Sequence, residues 1–136
     1  MDHFIYLLSP LECAQRGELL TAILDAAAVR SDGEFTAGDL VAAGIAGKLS
    51  LMVDSLELPQ AVLVADVCYS YRKQWLEIVA VAGSLRPFWM NKEMIRIWAG
   101  GLGCSEVRLE CKGKSRARLF ARVGFKLLRQ RMYVEV

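Results

Sequence analysis

The fold is decided by the stretch Glu110-Cys-Lys-Gly-Lys-Ser-Arg-Ala-Arg-Leu-Phe-Ala-Arg-Val-Gly-Phe125. It begins at the end of an alternating apolar and polar segment, which predicts a strand over residues 106–111. Residues 115–123 have the spacing of a short helix, and Gly124 follows at the position where helix C-termini favour glycine. Phe125 opens a last apolar segment, which predicts a terminal strand over residues 126–136.

Two helices are predicted in the N-terminal third of the chain. In the first, over residues 9–29, Ser9 can cap the helix and Glu12 completes a capping box. Thr36 and the acidic residue three positions later give the same signal for a shorter helix over residues 36–46. This second helix is rich in alanine and glycine, so we expect it to pack closely against its neighbours.

The middle of the chain predicts antiparallel strands and then a helix. Alternation over residues 49–53 is followed by two strands, residues 61–71 and 75–82, joined by a turn. Residues 87–99 have helical spacing and are stopped by two glycines. The chain is therefore predicted to be a single α/β domain over residues 1–136, with a central mixed, mostly antiparallel sheet of about five to six strands flanked by helices.

Composition excludes several classes of protein. The chain has 136 residues and is 54% hydrophobic, yet no apolar run approaches the roughly 20 residues of a membrane span. The N-terminus does not resemble a signal peptide. Four scattered cysteines and one histidine make a zinc site or a Ser-His-Asp triad implausible, so we expect no metal and a reducing, cytoplasmic location.

Positive charge is concentrated near the C-terminus. The net charge is only +2, but eight basic residues and no acidic residue lie between Lys112 and Arg131. Such a block either attracts a phosphate-bearing partner or is a solvated face. We do not expect nucleic acid as a partner, because no nucleic-acid-reading motif is present and the total charge is modest.

The string Leu119-Phe120-Ala-Arg-Val-Gly124-Phe125 resembles the Leu-Tyr-x-x-x-Gly-Phe string of the GCN5-related N-acetyltransferase (GNAT) superfamily. The predicted order of helices and strands also matches that superfamily along most of the chain. The resemblance implies an acetyltransferase-like fold and an acyl-CoA-dependent N-acyltransferase. It further implies acetyl-CoA as the cofactor, and an amine of a small molecule or a protein as the acyl acceptor.

In that family, the strand that corresponds to residues 75–82 splays away from its neighbour and pairs with the pantetheine arm of the coenzyme. Val79, Ala80 and Val81 would bind the cofactor in this way. A carboxylate on the same strand often acts as general base, and Glu77 would be the catalytic residue here. From the residues alone, an ordinary central strand with a solvent-facing glutamate remains open.

The family holds the coenzyme pyrophosphate on a basic, glycine-rich loop that leads into a helix. Residues 83–92 occupy that place, and Arg86 could contribute charge to cofactor binding. However, the paired glycines are absent, Pro87 removes an N–H donor, and bulky Phe88 and Trp89 stand in the loop. The resemblance therefore implies that the phosphates are held differently or that coenzyme A is not bound.

The C-terminal motif also departs from the family at residues that carry chemistry. Phe120 replaces a tyrosine that commonly reprotonates the leaving thiolate, and Gly113 replaces an asparagine. Tyr69, Tyr71 or Cys111 could substitute for the missing acid, and the sequence does not select among them. Catalytic competence is therefore uncertain from the sequence.

Two functions follow as alternatives. A divergent N-acyltransferase would use Glu77 as base, with Arg118 and Arg122, four apart on one helix, near the adenosine 3′-phosphate. The alternative is a non-catalytic acetyltransferase-fold protein for binding or assembly, similar to small bacteriophage proteins that include virion components. It would lie in the host cytoplasm or the virion. Its interface with a protein partner or a second copy would include the apolar segment 88–90. The helical spacing of these residues leaves open the alternative that they belong to the core.

Overall fold

A computed structural model describes residues 4–31, 33–84 and 86–109 of the chain. The predicted strand–helix–strand ending, including the Gly124-Phe125 motif, lies outside these residues. Described elements in chain order are β1 (Tyr6–Leu7), α1 (Pro10–Gln15), α2 (Gly17–Arg30), α3 (Ala37–Ile45), β2 (Ser50–Val53), β3 (Ala61–Ser70), β4 (Lys73–Gly83), α4 (Arg86–Met90), α5 (Lys92–Gly101) and β5 (Glu106–Leu109).

The five described strands form one sheet in the order β1-β2-β3-β4-β5. The first three pairings are antiparallel, and β5 joins β4 in parallel. The predicted mixed, mostly antiparallel sheet flanked by helices is thus confirmed. Strand β1 was not predicted, because two residues are too few for a period-two pattern.

Each face of the sheet carries its own apolar core. Helices α1, α2 and α3 cover one face, here called the α2 face, and α4 and α5 cover the other, the α5 face. The α2 face buries Leu20, Leu24, Leu40, Val62 and Val64, and the α5 face buries Leu63, Leu76, Ile78, Phe88 and Ile95. In the described part of the chain, no helix is long and apolar enough to cross a membrane.

The capping box predicted at Ser9 is present, and the predicted start of the shorter helix at Thr36 is a capping box as well. The Ser9 hydroxyl accepts from the Glu12 N–H at 3.1 Å, and the Glu12 carboxylate accepts from the Ser9 N–H at 2.9 Å. The hydrogen bonds from Ser9 hold the pKa of Glu12 below its usual range. Thr36 and Asp39 repeat the arrangement at α3, with distances of 3.1 and 3.0 Å.

Two helices that were predicted as continuous are each broken in two. At Arg16, between α1 and α2, the guanidinium donates to the carbonyl of Leu56 at 2.7 Å, and glycine follows. At Asn91, between α4 and α5, the side-chain amide donates to the Pro87 carbonyl at 2.9 Å. Asparagine competes in this way with the regular helical hydrogen bonds. The continuity predicted for both helices was therefore wrong.

Candidate active site

Strand β4 contains a β-bulge at the segment predicted to bind a coenzyme. Val64 of β3 lies opposite Ala80, whereas the next residue, Ala65, lies opposite Ile78. Val79 is therefore an extra residue with no partner on β3. A bulge of this kind disrupts the ladder locally and re-aims the residues beside it.

The bulge reverses which face of the sheet each following side chain meets. Before it, Leu76 and Ile78 lie in the core of the α5 face. After it, Ala80 and Ala82 lie in the core of the α2 face, although strict alternation would have kept all four together. Val81 accordingly packs against the α5 face.

The backbone of Val81 faces away from β3. The Ser84 N–H donates to the Gln60 carbonyl at 3.2 Å, so these two residues form a hydrogen-bonded pair at the end of the β3–β4 ladder. Such pairs alternate with non-hydrogen-bonded ones in an antiparallel ladder. The pair of Ala80 with Val64 is therefore hydrogen-bonded, whereas Val81 turns its N–H and C=O outward. Ala80 and Val81 were both predicted to bind the cofactor. Of the two, only Val81 directs its backbone N–H and C=O away from β3.

The pairing of β3 with β2 leads to the same conclusion about the backbone direction of Val64. Leu8 donates to the Leu51 carbonyl at 2.9 Å, so the backbone of Leu51 turns toward β1 and away from β3. Its partner Val64 must then turn toward β4, as the alternation requires. The outward carbonyl of Val81 accepts a hydrogen bond from Nη2 of Arg30 at 3.0 Å.

Strand β5 pairs with β4 up to the edge of the bulge. The described pairs run from Trp75 with Glu106 to Ile78 with Leu109. Leu109 is also the last described residue, so the predicted parting of the two strands beyond it lies outside the described residues. The open side of Val81 continues the β5 side of β4.

Glu77 lies on the strand just before the bulge, between two charged neighbours. Its half-buried side chain is in register with Asp66 on β3 and with Arg108 on β5. The Arg108 guanidinium is engaged elsewhere: it donates to Glu106 at 2.9 Å and stacks 4.0 Å from the Trp75 ring centroid. Within residues 4–31, 33–84 and 86–109, no hydrogen bond or ion pair involves the Glu77 carboxylate.

Two further groups beside Glu77 were not predicted as site residues. The Cys68 Sγ lies 4.0 Å from Asp66 Oδ2, and burial raises the pKa of this thiol, with the Asp66 and Glu77 carboxylates adding to the effect. The thiol therefore stays protonated at neutral pH. Trp75 is paired with Cys68, and within the described residues its buried indole N–H has no acceptor. In the sequence, Asp66 and Cys68 are two residues apart on one predicted strand. This spacing indicates that their side chains lie on the same face of the sheet.

Of the two bulky residues predicted to stand in the loop after β4, Phe88 lies elsewhere. Its ring is fully buried in the α5-face core, because α4 turns it inward. Pro87 stands in the first turn of α4, where no backbone N–H is needed. Arg86 lines an open depression of about 300 Å³ together with Ser84, Pro87 and Met90. Its Nε donates to the Met90 sulfur at 3.3 Å.

Gly83 makes the exit from β4 possible. Its φ is +82°, a conformation that favours glycine, and a Cβ there would lie 2.0 Å from the Gln60 carbonyl oxygen. No side chain fits at that distance. Gly83, the single glycine of this loop, is therefore required for the turn that ends β4. This role differs from that of the paired glycines in the family pattern.

The remaining predicted site residues lie away from the bulge or outside the described residues. Tyr69 and Tyr71 are exposed at the β3–β4 turn, and Tyr69 pairs with Gln74, five residues before Val79. At about 3.4 Å per residue, that separation is roughly 17 Å. Outside the described residues lie Arg118, Arg122, Phe120, Gly113 and Cys111. In the described part of the chain, no cluster of metal-ligating side chains occurs.

Solved acetyltransferases share this architecture. A probable acetyltransferase superposes with a TM-score of 0.74 at 9% identity, over 100% of this chain and 97% of that one. This chain has the acetyltransferase fold. An aminoglycoside acetyltransferase from an uncultured soil metagenomic sample, in complex with sisomicin, gives 0.66 at 18% identity over 97% and 93% of the two chains. An aminoglycoside N-acetyltransferase in complex with CoA gives 0.61 at 13% identity over 97% and 98%. No protein-family model and no curated protein matches.

Proposed function

We propose that this chain is a divergent acyl-CoA-dependent N-acyltransferase that uses acetyl-CoA. The observation that carries the proposal is the β4 bulge, after which Val81 turns its N–H and C=O away from β3. A strand edge of this kind can pair with the amides of an extended ligand, and pantetheine contains two such amides. The CoA complex of an aminoglycoside N-acetyltransferase with the same fold supports this choice of ligand.

The described residues divide the work between holding the ligand and moving a proton. Val79 and Val81 would hold the pantetheine arm, and Arg86 would meet its phosphates from the depression after β4. From their spacing in the sequence, Arg118 and Arg122 are proposed as further phosphate contacts. When bound, acetyl-CoA supplies an acetyl group activated as a thioester.

Glu77 is the proposed general base. Its half-buried carboxylate takes part in no described ion pair, since Arg108 is occupied by Glu106 and the Trp75 ring. It can therefore accept the proton of an attacking amine, directly or through one water. The amine would belong to a small molecule or a protein, and the solved aminoglycoside acetyltransferases of this fold support the former.

A non-catalytic binding or assembly role is the second candidate, including that of a virion component. It is supported by the tip of the β3–β4 hairpin, where Tyr69 is 72% exposed and Tyr71 is fully exposed. Tyrosine is enriched at protein interfaces. The ring of Phe88 is buried in the core, which was the alternative left open for segment 88–90, so this residue is not part of the proposed interface.

Thermal unfolding with and without acetyl-CoA separates the two candidates. At 100 times its dissociation constant, a ligand that binds only the folded protein adds about 2.7 kcal/mol to the free energy of unfolding. We expect a rise in Tm with acetyl-CoA and a smaller one with acetyl-pantetheine, which lacks the phosphates. The absence of any shift at millimolar acetyl-CoA would exclude the acyltransferase and leave the binding role.

A further inference from the structure

Arg30 occupies the outward carbonyl of the bulged strand. This arginine is the last residue of α2, its side chain is exposed, and its Nη2 lies 3.0 Å from the Val81 oxygen. The two residues are 51 positions apart, so the contact depends on the packing of α2 over β4. Nothing in the amino-acid sequence indicates this contact.

The contact places a guanidinium where a strand-like ligand would pair. Neighbouring strands lie about 4.7–4.9 Å apart, and their N–H and C=O groups point into the space between them. A guanidinium nitrogen 3.0 Å from the Val81 oxygen lies within that spacing. An amide N–H of an extended ligand would need the same oxygen, so the ligand and Arg30 compete for it.

We propose that Arg30 is a latch on the coenzyme edge: it holds the Val81 carbonyl in the free protein, and a pantetheine-bearing ligand must displace it. The proposal rests on the proposed function, because it assumes that the ligand pairs with this edge. Displacement is feasible, since the exposed guanidinium returns to water when it leaves. The latch lowers the affinity of the edge for any ligand that cannot replace its hydrogen bond.

The test is the affinity of acetyl-pantetheine for Arg30→Met compared with the native protein, measured by calorimetric titration. This probe has no phosphates, so the lost positive charge does not enter the comparison. Removing one competing hydrogen bond should tighten binding about threefold to tenfold. Arg16→Met is the matched control, because Arg16 makes the same type of contact, to the Leu56 carbonyl at 2.7 Å, away from β4. Its affinity should equal that of the native protein.

The outcomes separate the latch from the function. Equal affinities of the native protein and Arg30→Met would show that Val81 accommodates both partners, which overturns the latch and leaves the acyltransferase proposal standing. Weaker binding by Arg30→Met would make Arg30 a ligand contact and also overturn it. If neither protein binds acetyl-pantetheine or acetyl-CoA, both proposals fail. Melting curves of both variants confirm that they are folded.

Discussion

At the scale of single residues, the position of Glu77 is compatible with a structural role or with the role of a general base. Its surroundings favour the general base. Arg108 is in register with Glu77, yet its guanidinium binds Glu106 and covers the Trp75 ring. A purely structural glutamate at this position would be expected to pair with such an arginine. Within the described residues this carboxylate has no ion-pair partner, which is consistent with the proposed role as general base.

Glu77→Gln should lower the acetyl-transfer rate by roughly 10²–10⁴-fold, because the amide cannot accept the proton of the amine. The dissociation constant for acetyl-CoA should change by no more than about twofold, since the backbone edge is untouched. Asp66→Asn is the control, because Asp66 is the cross-strand neighbour of Glu77. Loss of turnover in Asp66→Asn with full activity in Glu77→Gln would assign the base to Asp66 instead.

At the scale of elements, α3 packs so closely against the sheet that only a glycine fits at position 44. A Cβ on Gly44 would lie 2.7 Å from a methyl of Leu51 and 3.2 Å from the Cys13 sulfur. Both neighbours are fully buried, so neither can move aside freely. The prediction of a close-packing helix rich in alanine and glycine is confirmed by this contact.

Gly44→Ala should lower the free energy of unfolding by about 1 kcal/mol or more, because overpacking of about 1–3 kcal/mol outweighs the gain in helix propensity. Gly38→Ala in the same helix is the matched control. Its Cβ would meet only the Thr36 hydroxyl, at 3.8 Å. Urea unfolding should show Gly38→Ala unchanged or slightly stabilised; equal effects of the two substitutions would contradict the packing argument.

Local signals in the sequence predicted where the helices begin. Features that depend on contacts between distant residues could not be predicted from the sequence. Ser9 and Thr36 cap their helices through groups three residues away, which a sequence displays directly. The break at Arg16 depends on the Leu56 carbonyl, 40 positions away. The bulge at Val79 lies in an unbroken apolar run, where no residue type marks the extra position. The strand that carries the proposed site could therefore be predicted, but the outward turn of its Val81 carbonyl could not.

At the scale of the whole molecule, one extra residue in β4 determines which side chains of this strand enter each of the two cores. Because Val79 is inserted, Ala80 and Ala82 meet the α2 face while Leu76 and Ile78 meet the α5 face. The small alanines leave room for α2 to approach β4. The same insertion that opens the proposed coenzyme edge therefore also fits the sheet to its two layers of helices.

Deletion of Val79 should reverse the facing of every later residue of β4, since side chains alternate along a strand. We expect a loss of about 3 kcal/mol or more in the free energy of unfolding, comparable with removal of a buried core side chain, together with loss of acetyl-CoA binding. Val79→Ala keeps the extra residue and trims a side chain that is 38% exposed. It should retain both properties, and a deletion variant as stable as Val79→Ala would refute the argument.

The parallel pairing of β5 with β4 leads us to expect an order of events during folding. Strands β3 and β4 are joined by a tight turn, so their hairpin can form within about microseconds from nearby residues. Strand β5 reaches its place beside β4 only after the chain has passed through α4 and α5. Closing that longer loop costs entropy before any new contact compensates for it. We therefore expect the hairpin to form first with the β5 side of β4 unpaired, and β5 to pair with it in a later step.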